Sequence, residues 1–263
     1  MTSSSSSRSS YVEPVQARVD LSIVAPALDE SDNLVQLHAE ISEAMAGLEC
    51  RWELLLVDDH SSDDSPVRMT ELAERDSRVR VVRLGGPETW PEGQSAALAA
   101  GFEAARGDMI ATIDADLQND ARDLPKMIEA LADCDLVAGI RVDRQDVWRR
   151  RVASSVANRV RRMFLGDPFT DIGCSLTIYR TSFVRGLPWF DGMHRFLRVF
   201  ALRRGARWKE LPVRHRPRVH GESKYNVSGR LVRGVRDLFA VRSLLRRDAV
   251  SPQSRLGCGT TRM

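Results

Sequence analysis

The sequence predicts an α/β protein built on a mostly parallel sheet with helices on both faces. Three observations carry this. Five short apolar runs rich in Val, Ile and Leu fall in the first 140 residues: LSIVAP (21–26), WELLLVD (52–58), VRVVRL (79–84), MIATID (109–114) and DLVAGI (135–140). Segments of helical spacing separate them. The alternation repeats in steps of about 25 residues, which leaves room for one strand and one crossover helix, and such connections make neighbouring strands parallel.

Taken in order, the first helix is expected over Asn33–Gly47, where Leu34, Leu37, Ile41 and Met45 share one face. Glu92–Arg106 is Ala-rich, and Asp123–Ala132 opens with an acid and has Pro125 in its first turn, where a missing N–H costs nothing. Further on, FTDIGCSLTIYR sets Asp171 just before an alternating apolar strand. Near the end, RLVRGVRDLFAVRSLLRR (230–247) gathers Leu231, Val232, Val235, Leu238 and Phe239 on one helical face, with Arg230, Arg233 and Arg236 off it. That pattern suits a helix on an anionic bilayer surface, or one packed on its own domain.

With 263 residues the chain can bury a sizeable core. Cys50, Cys134, Cys174 and Cys258 are far apart and form no C-x-x-C, the usage of reduced thiols in a cytosolic protein. MTSSSSSRSS lacks the apolar centre of a signal peptide, no run is long enough to span a membrane, and the Ser-rich start is expected to be disordered. We expect a tail over 1–18, a main domain over 19–228, a membrane-surface helix over 229–248 and a flexible end over 249–263.

Charge is divided unevenly. Residues 1–138 carry 11 Lys and Arg against 27 Asp and Glu, and residues 139–263 carry 28 against 9. The acidic half suggests cation binding and the basic half an anionic partner. Open α/β sheets bind ligands beyond the carboxyl ends of their strands, and three acidic clusters fall there: Asp29 and Glu30 after the first run, Asp58 and Asp59 after the second, and DADLQND after the fourth. Singly, such residues also serve as loop polars and helix caps. Together they point to a site.

Asp114, Asp116 and Gln118 stand at alternate positions. They share a face if the strand stays extended and meet one hard cation if the chain turns, with Mg2+ or Mn2+ expected for an all-oxygen set lacking His and Cys. An ion with few protein ligands keeps positions for phosphate oxygens, so a nucleoside diphosphate is the natural guest. Asp58 and Asp59 suit ribose hydroxyls or base N–H groups. GGPETWPEGQSAALAAG has neither G-x-G-x-x-G nor a Walker lysine.

The ordered motifs PALDE, LLLVDDHSSDD, EGQSAALAAGFEAARGD, DADLQ, TDIGC and RPRVHGESKYN, over roughly residues 20–245, resemble the family 2 glycosyltransferases. Within that family they are most similar to polyprenyl-phosphate sugar transferases of the dolichyl-phosphate mannose synthase type. The resemblance implies a GT-A fold, Rossmann-like, with a C-terminal amphipathic helix. It implies metal-dependent, inverting transfer of a sugar from a GDP- or UDP-sugar to a polyprenyl phosphate. Pro26, Glu30, Asp58, Asp114 and Lys224 would bind the donor nucleotide, and Asp114, Asp116 and Gln118 the Mg2+ or Mn2+. Arg141, Arg150, Ser154 and Arg218 would grip the acceptor phosphate, with Asn158 a turn beyond. Asp116 and Asp171 would be catalytic, Asp171 as base.

His215, Gly221, Ser223, Lys224 and Tyr225 complete the last motif. Two departures bear on the base: Ala27-Leu28-Asp29 stands where the family has T-Y-N, and His60 where it has Gly. The partners implied are a membrane surface, met peripherally on its cytoplasmic face, and an integral membrane protein as anchor, with no nucleic acid. The alternatives are a soluble or polysaccharide acceptor, or a non-catalytic membrane-surface protein.

Overall fold

The computed structural model describes residues 18–85, 93–142, 159–217 and 237–245. Seven strands form one sheet: β1 (Leu21–Ala27), β2 (Trp52–Asp58), β3 (Val79–Arg83), β4 (Met109–Thr112), β5 (Leu136–Arg141), β6 (Thr177–Arg180) and β7 (Trp208–Val213). Their order is β3-β2-β1-β4-β6-β5-β7. All pairings are parallel except those of β6, which runs antiparallel to both β4 and β5. This reversal brings the start of β6, and the loop leading to it, to the edge where β1, β2, β4, β5 and β7 end.

The strands follow the five apolar runs closely, and β4 stops at Thr112, before the acidic cluster. The helices are α1 (Ser31–Met45), α2 (Ser65–Arg75), α3 (Gln94–Ala104), α4 (Leu124–Ala130), α5 (Thr181–Val184) and α6 (Leu197–Arg203). Residues 159–165 and 237–245 are also helical. On one face of the sheet, Leu34, Leu37, Ile41 and Met45 of α1 pack with Met69, Leu72, Leu124 and Met127 over Leu21, Ile23, Leu54 and Leu56. On the other, Ala97, Leu98 and Phe102 of α3 and Leu197 and Phe200 of α6 cover Val24, Leu55 and Val57. Alternate residues of β1 and β2 thus feed opposite layers, as strand geometry requires.

The Ala-rich α3 is buried nearly all round. Gly101 brings it close, because a Cβ there would run into the side chains of Val24 and Val57.

The segment 237–245 buries Asp237, Val241 and Leu245 against its own domain and leaves Phe239 exposed. Within the described residues the domain-packed alternative therefore describes this face, and the remainder of the expected 229–248 helix lies outside them. No described helix is long and apolar enough to cross a membrane. Cys50, Cys134 and Cys174 are free thiols.

Candidate active site

The loops after β1 and β2 hold each other. Ala27 pairs with Asp58 across the strands, and the Asp59 amide donates to the Ala27 carbonyl at 2.9 Å. Asp29, in the left-handed region with φ 52°, accepts from the Ser62 amide at 2.6 Å and the Asp63 amide at 3.3 Å. Asp58 accepts from the Ser61 amide at 3.0 Å, and the Glu30 amide donates to Ser65 Oγ at 2.8 Å. Pro26 is half-buried within β1.

His60 also has a positive φ, 62°, the conformation that glycine adopts without penalty. Its Nε2 lies 2.8 Å from the Gly85 carbonyl, so the ring ties the β2 exit to the β3 exit.

The start of α3 joins this group to the acidic loop after β4. The Gly93 amide donates to Asp59 at 3.0 Å, and the Gln94 side chain donates to Asp114 at 2.9 Å. Extended geometry does not continue past Asp114. Leu117, fully buried, takes φ 60° and turns the chain, a conformation that costs an L-residue about 1–2 kcal/mol. Inside the turn the Gln118 amide donates to Asp116 Oδ1 at 3.2 Å. Of the two geometries open at the sequence level, the turn is the one adopted.

A strap from β7 fixes that turn. Asn119 bridges His215 in antiparallel fashion, the Arg216 amide donates to the Gln118 carbonyl at 2.8 Å, and Gln118 Nε2 reaches back to the Arg216 carbonyl at 3.5 Å. The Arg216 guanidinium forks onto Glu40 of α1 at 2.9 and 2.5 Å and donates to the Asn119 carbonyl at 3.1 Å. The Arg216 hydrogen bonds hold Glu40 below its ordinary pKa against the opposing effect of burial. Asp120 and Asp123, within and just beyond the predicted cluster, brace the same strap. Asp123 accepts from the Arg214 amide at 2.6 Å, and Asp120 pairs with Arg122 at 2.8 Å and Arg214 at 3.6 Å.

Among the described residues no three His, Cys, Asp or Glu side chains are gathered closely enough to hold an ion by themselves. The donor set still fits Mg2+ or Mn2+. Two carboxylates flank a fixed turn, and the Gln118 side-chain nitrogen is directed at Arg216, leaving the amide oxygen as the hard donor.

Across β6, Asp171 and Arg141 form a bidentate pair, Nε to Oδ2 and Nη2 to Oδ1, each 2.8 Å. The Arg141 amide adds a third bond at 3.2 Å. Gly173 leaves room for the Arg141 guanidinium, whose Nη2 would lie 2.7 Å from a Cβ there. Two residues expected to act separately, one as base and one as phosphate grip, are thus joined. Arg198 supports the same loop from below, donating to the Asp171 carbonyl at 2.7 Å. Arg150, Ser154, Asn158, Arg218, Gly221, Ser223, Lys224 and Tyr225 lie outside the described residues.

Residues 22–187 match the model of glycosyl transferase family 2. The chain belongs to that family. It is 38% identical over 240 residues to the dodecaprenyl-phosphate galacturonate synthase of Rhizobium johnstonii, covering 89% of this chain and 69% of the relative. It is also 38% identical over 209 residues to the undecaprenyl-phosphate 4-deoxy-4-formamido-L-arabinose transferase of Edwardsiella ictaluri, covering 79% of this chain and 63% of the relative. The chain therefore spans less than two thirds of the length of that second relative.

The fold matches glucosyl-3-phosphoglycerate synthase from Mycobacterium tuberculosis, solved with Mn2+, UDP and phosphoglyceric acid. The TM-score is 0.65 at 22% identity, over 89% of this chain and 80% of that one. The protein is a family 2 glycosyltransferase with the GT-A fold, as its ordered motifs imply.

The sequence reading missed Gln94, Arg198 and the Arg216–Glu40 pair. Gln94 lies in the Ala-rich EGQSAALAAG motif, where nothing local marks its amide as a partner of Asp114, 20 residues on. Arg216 and Glu40 are 176 residues apart, and no local pattern links them.

Proposed function

We propose that this glycosyltransferase moves a sugar from a nucleoside-diphosphate donor to a polyprenyl phosphate, inverting the anomeric carbon. One observation carries the reading: the fixed Asp-x-Asp turn after β4 shares a sheet edge with Glu30 and Asp58 on one side and the Arg141–Asp171 pair on the other. A donor then lies over β1, β2 and β4, and an acceptor phosphate over β5 and β6. The two relatives described above, both named for polyprenyl-phosphate substrates, support this choice of acceptor.

In the step, an acceptor phosphate oxygen attacks the anomeric carbon from the face opposite the nucleotide. The bond from that carbon to the diphosphate oxygen breaks, and the nucleoside diphosphate leaves with the electron pair. Asp114, Asp116 and Gln118 would hold a Mg2+ or Mn2+, which when bound would supply charge stabilisation for the departing diphosphate. Glu30 and Asp58 accept from the nucleoside, with Pro26 lining its seat. The acceptor phosphate is ionised near neutral pH, so the demand for a general base is slight. Asp171, already forked onto Arg141, orients that guanidinium toward the phosphate. Arg150, Ser154, Arg218 and Lys224 are assigned to the two phosphate groups on sequence grounds.

The acceptor reading implies work at the cytoplasmic face of a membrane, by a peripheral protein with an integral partner as anchor. Val160, Met163 and Phe239 are exposed on the two helical segments that also carry Arg242, a mixture of apolar and cationic groups suited to an anionic bilayer.

The test is incubation with labelled UDP- and GDP-sugars and Mn2+, with either a polyprenyl phosphate in micelles or an oligosaccharide. Label in the lipid, lost in EDTA, is expected. Label only in the oligosaccharide would replace the acceptor, and none in either would reject the reading.

A further inference from the structure

Ser95, the second residue of α3, is 6% exposed. Its hydroxyl oxygen accepts from the Gly192 amide at 3.0 Å and from the His194 amide at 3.3 Å, and it lies 2.8 Å from His194 Nδ1. A serine hydroxyl has two acceptor positions and one proton. With both acceptor positions filled by backbone N–H groups, the proton goes to Nδ1, so that nitrogen is the acceptor and the ring carries its hydrogen on Nε2. Burial, then Arg195, hold this imidazole below its ordinary pKa, in keeping with a neutral ring.

A serine near the start of a helix ordinarily bonds to backbone close to it in the chain. Ser95 instead directs its hydroxyl to residues 97 and 99 positions further along. The receiving turn, Met193–Arg195, is itself fixed. Met193 and Phe196 are buried in the same layer as Leu98 and Phe102 of α3, and Arg195 pairs with Asp237 at 3.2 Å. Gly192, at φ 89°, lies so close to Asp237 that a Cβ there would stand 2.8 Å from Oδ2.

What this anchorage holds is the entrance to the acidic site. Gly93 and Gln94, the two residues before Ser95, donate to Asp59 at 3.0 Å and to Asp114 at 2.9 Å. We propose that Ser95 and His194 are positioning residues for the turn after β4: by pinning the start of α3 to Gly192–His194 they keep the Gln94 amide on Asp114. Both act through Gln94. The inference rests on the reading of Asp114, Asp116 and Gln118 as ligands of Mg2+ or Mn2+.

The test uses the full chain with Mn2+ and either UDP or GDP. Bound Mn2+ is read by electron paramagnetic resonance, with the thermal midpoint measured alongside. Ser95→Ala removes the hydroxyl. His194→Leu removes the acceptor at similar volume and His194→Asn keeps an oxygen near the place of Nδ1, which covers the case in which the Ala variant does not fold. We expect Ser95→Ala and His194→Leu to bind Mn2+ about tenfold more weakly, the low end for groups that orient metal ligands, and His194→Asn to stay within about threefold of wild type. Gln94→Ala should weaken binding by a similar factor. Adding Ser95→Ala to it should weaken binding further by less than about twofold, because residues acting through one contact are not additive.

Unchanged Mn2+ affinity in Ser95→Ala and His194→Leu, with or without a lower midpoint, overturns the inference and leaves the pair as packing. Full additivity with Gln94→Ala, about 100-fold in the double variant, also overturns it, as does a His194→Asn variant as weak as His194→Leu. A wild-type chain that binds no Mn2+, or an Asp116→Asn variant that binds it as tightly as wild type, ends the metal reading itself and the inference with it.

Discussion

The two halves of the molecule use charge in opposite ways. In the acidic half, carboxylates accept from backbone amides: Asp29 from Ser62 and Asp63, Asp58 from Ser61, Asp59 from Gly93, Asp120 from Arg122. In the basic half, guanidiniums donate to backbone carbonyls: Arg161 to Phe169, Arg203 to Leu165, Arg204 to Arg185, Arg242 to Phe164 and Arg198 to Asp171. A carboxylate so held is fixed in place by the loop amides around it. A guanidinium so held braces the chain first, whatever charge it also presents. The excess of 28 basic over 9 acidic residues after position 138 is therefore not by itself a measure of the positive charge offered to a ligand.

The sharpest way to break the contrast is at the acidic turn. Asp116→Asn should lower transfer by about 10^3-fold while leaving the thermal midpoint near wild type, because it removes a hard oxygen from a site where charge develops. Activity within tenfold of wild type would show that the turn is scaffolding as well.

One step smaller is the strap. Arg216→Ala should raise the Mn2+ concentration for half-maximal activity by about 10–100-fold, the range for groups that orient metal ligands. Glu40→Gln should move it in the same direction by less, and an unchanged Mn2+ requirement in both would remove the strap from the site.

A third probe is acid. Ser95 Oγ lies 2.8 Å from His194 Nδ1, and burial, then Arg195, hold this histidine down to about 3. A histidine kept neutral in the fold takes up a proton more readily when unfolded. Its contribution is complete above the ordinary value near 6.5 and is lost as pH falls toward about 3, with a slope of up to about 1.4 kcal/mol per pH unit. Urea unfolding at pH 7.5, 6 and 5 should show that decline, and His194→Gln should flatten it. The smallest effect belongs to exposed pairs such as Arg18–Asp108 at 2.7 Å: Arg18→Ala should shift the thermal midpoint by no more than about 1–2 °C.

The sequence made the parallel core legible, because buried strands and crossover helices leave strong periodic marks. It also exposed the acidic exits, because Asp114 and Asp116 flank a single residue at a strand end. Strand direction leaves no such mark. TIYR has the same alternation whichever way it runs, so the insertion of β6 between β4 and β5 was not foreseen. β7, with Lys209, Glu210 and Pro212 in WKELPV, is too polar to register as an apolar run. Pairs set by tertiary packing, Arg141–Asp171 and Arg216–Glu40, were invisible for the same reason: each side chain was readable alone, but its partner was not.

The reversed strand also bears on how much of the sheet depends on the stretch that precedes it. The chain departs the sheet at Arg141 and rejoins it at Thr177, whose ladder neighbour is Ala138. Both stumps of the intervening stretch emerge side by side at the same edge of the sheet. The rungs themselves lie outside that stretch, so the pairing of β5 with β6 does not depend on its length.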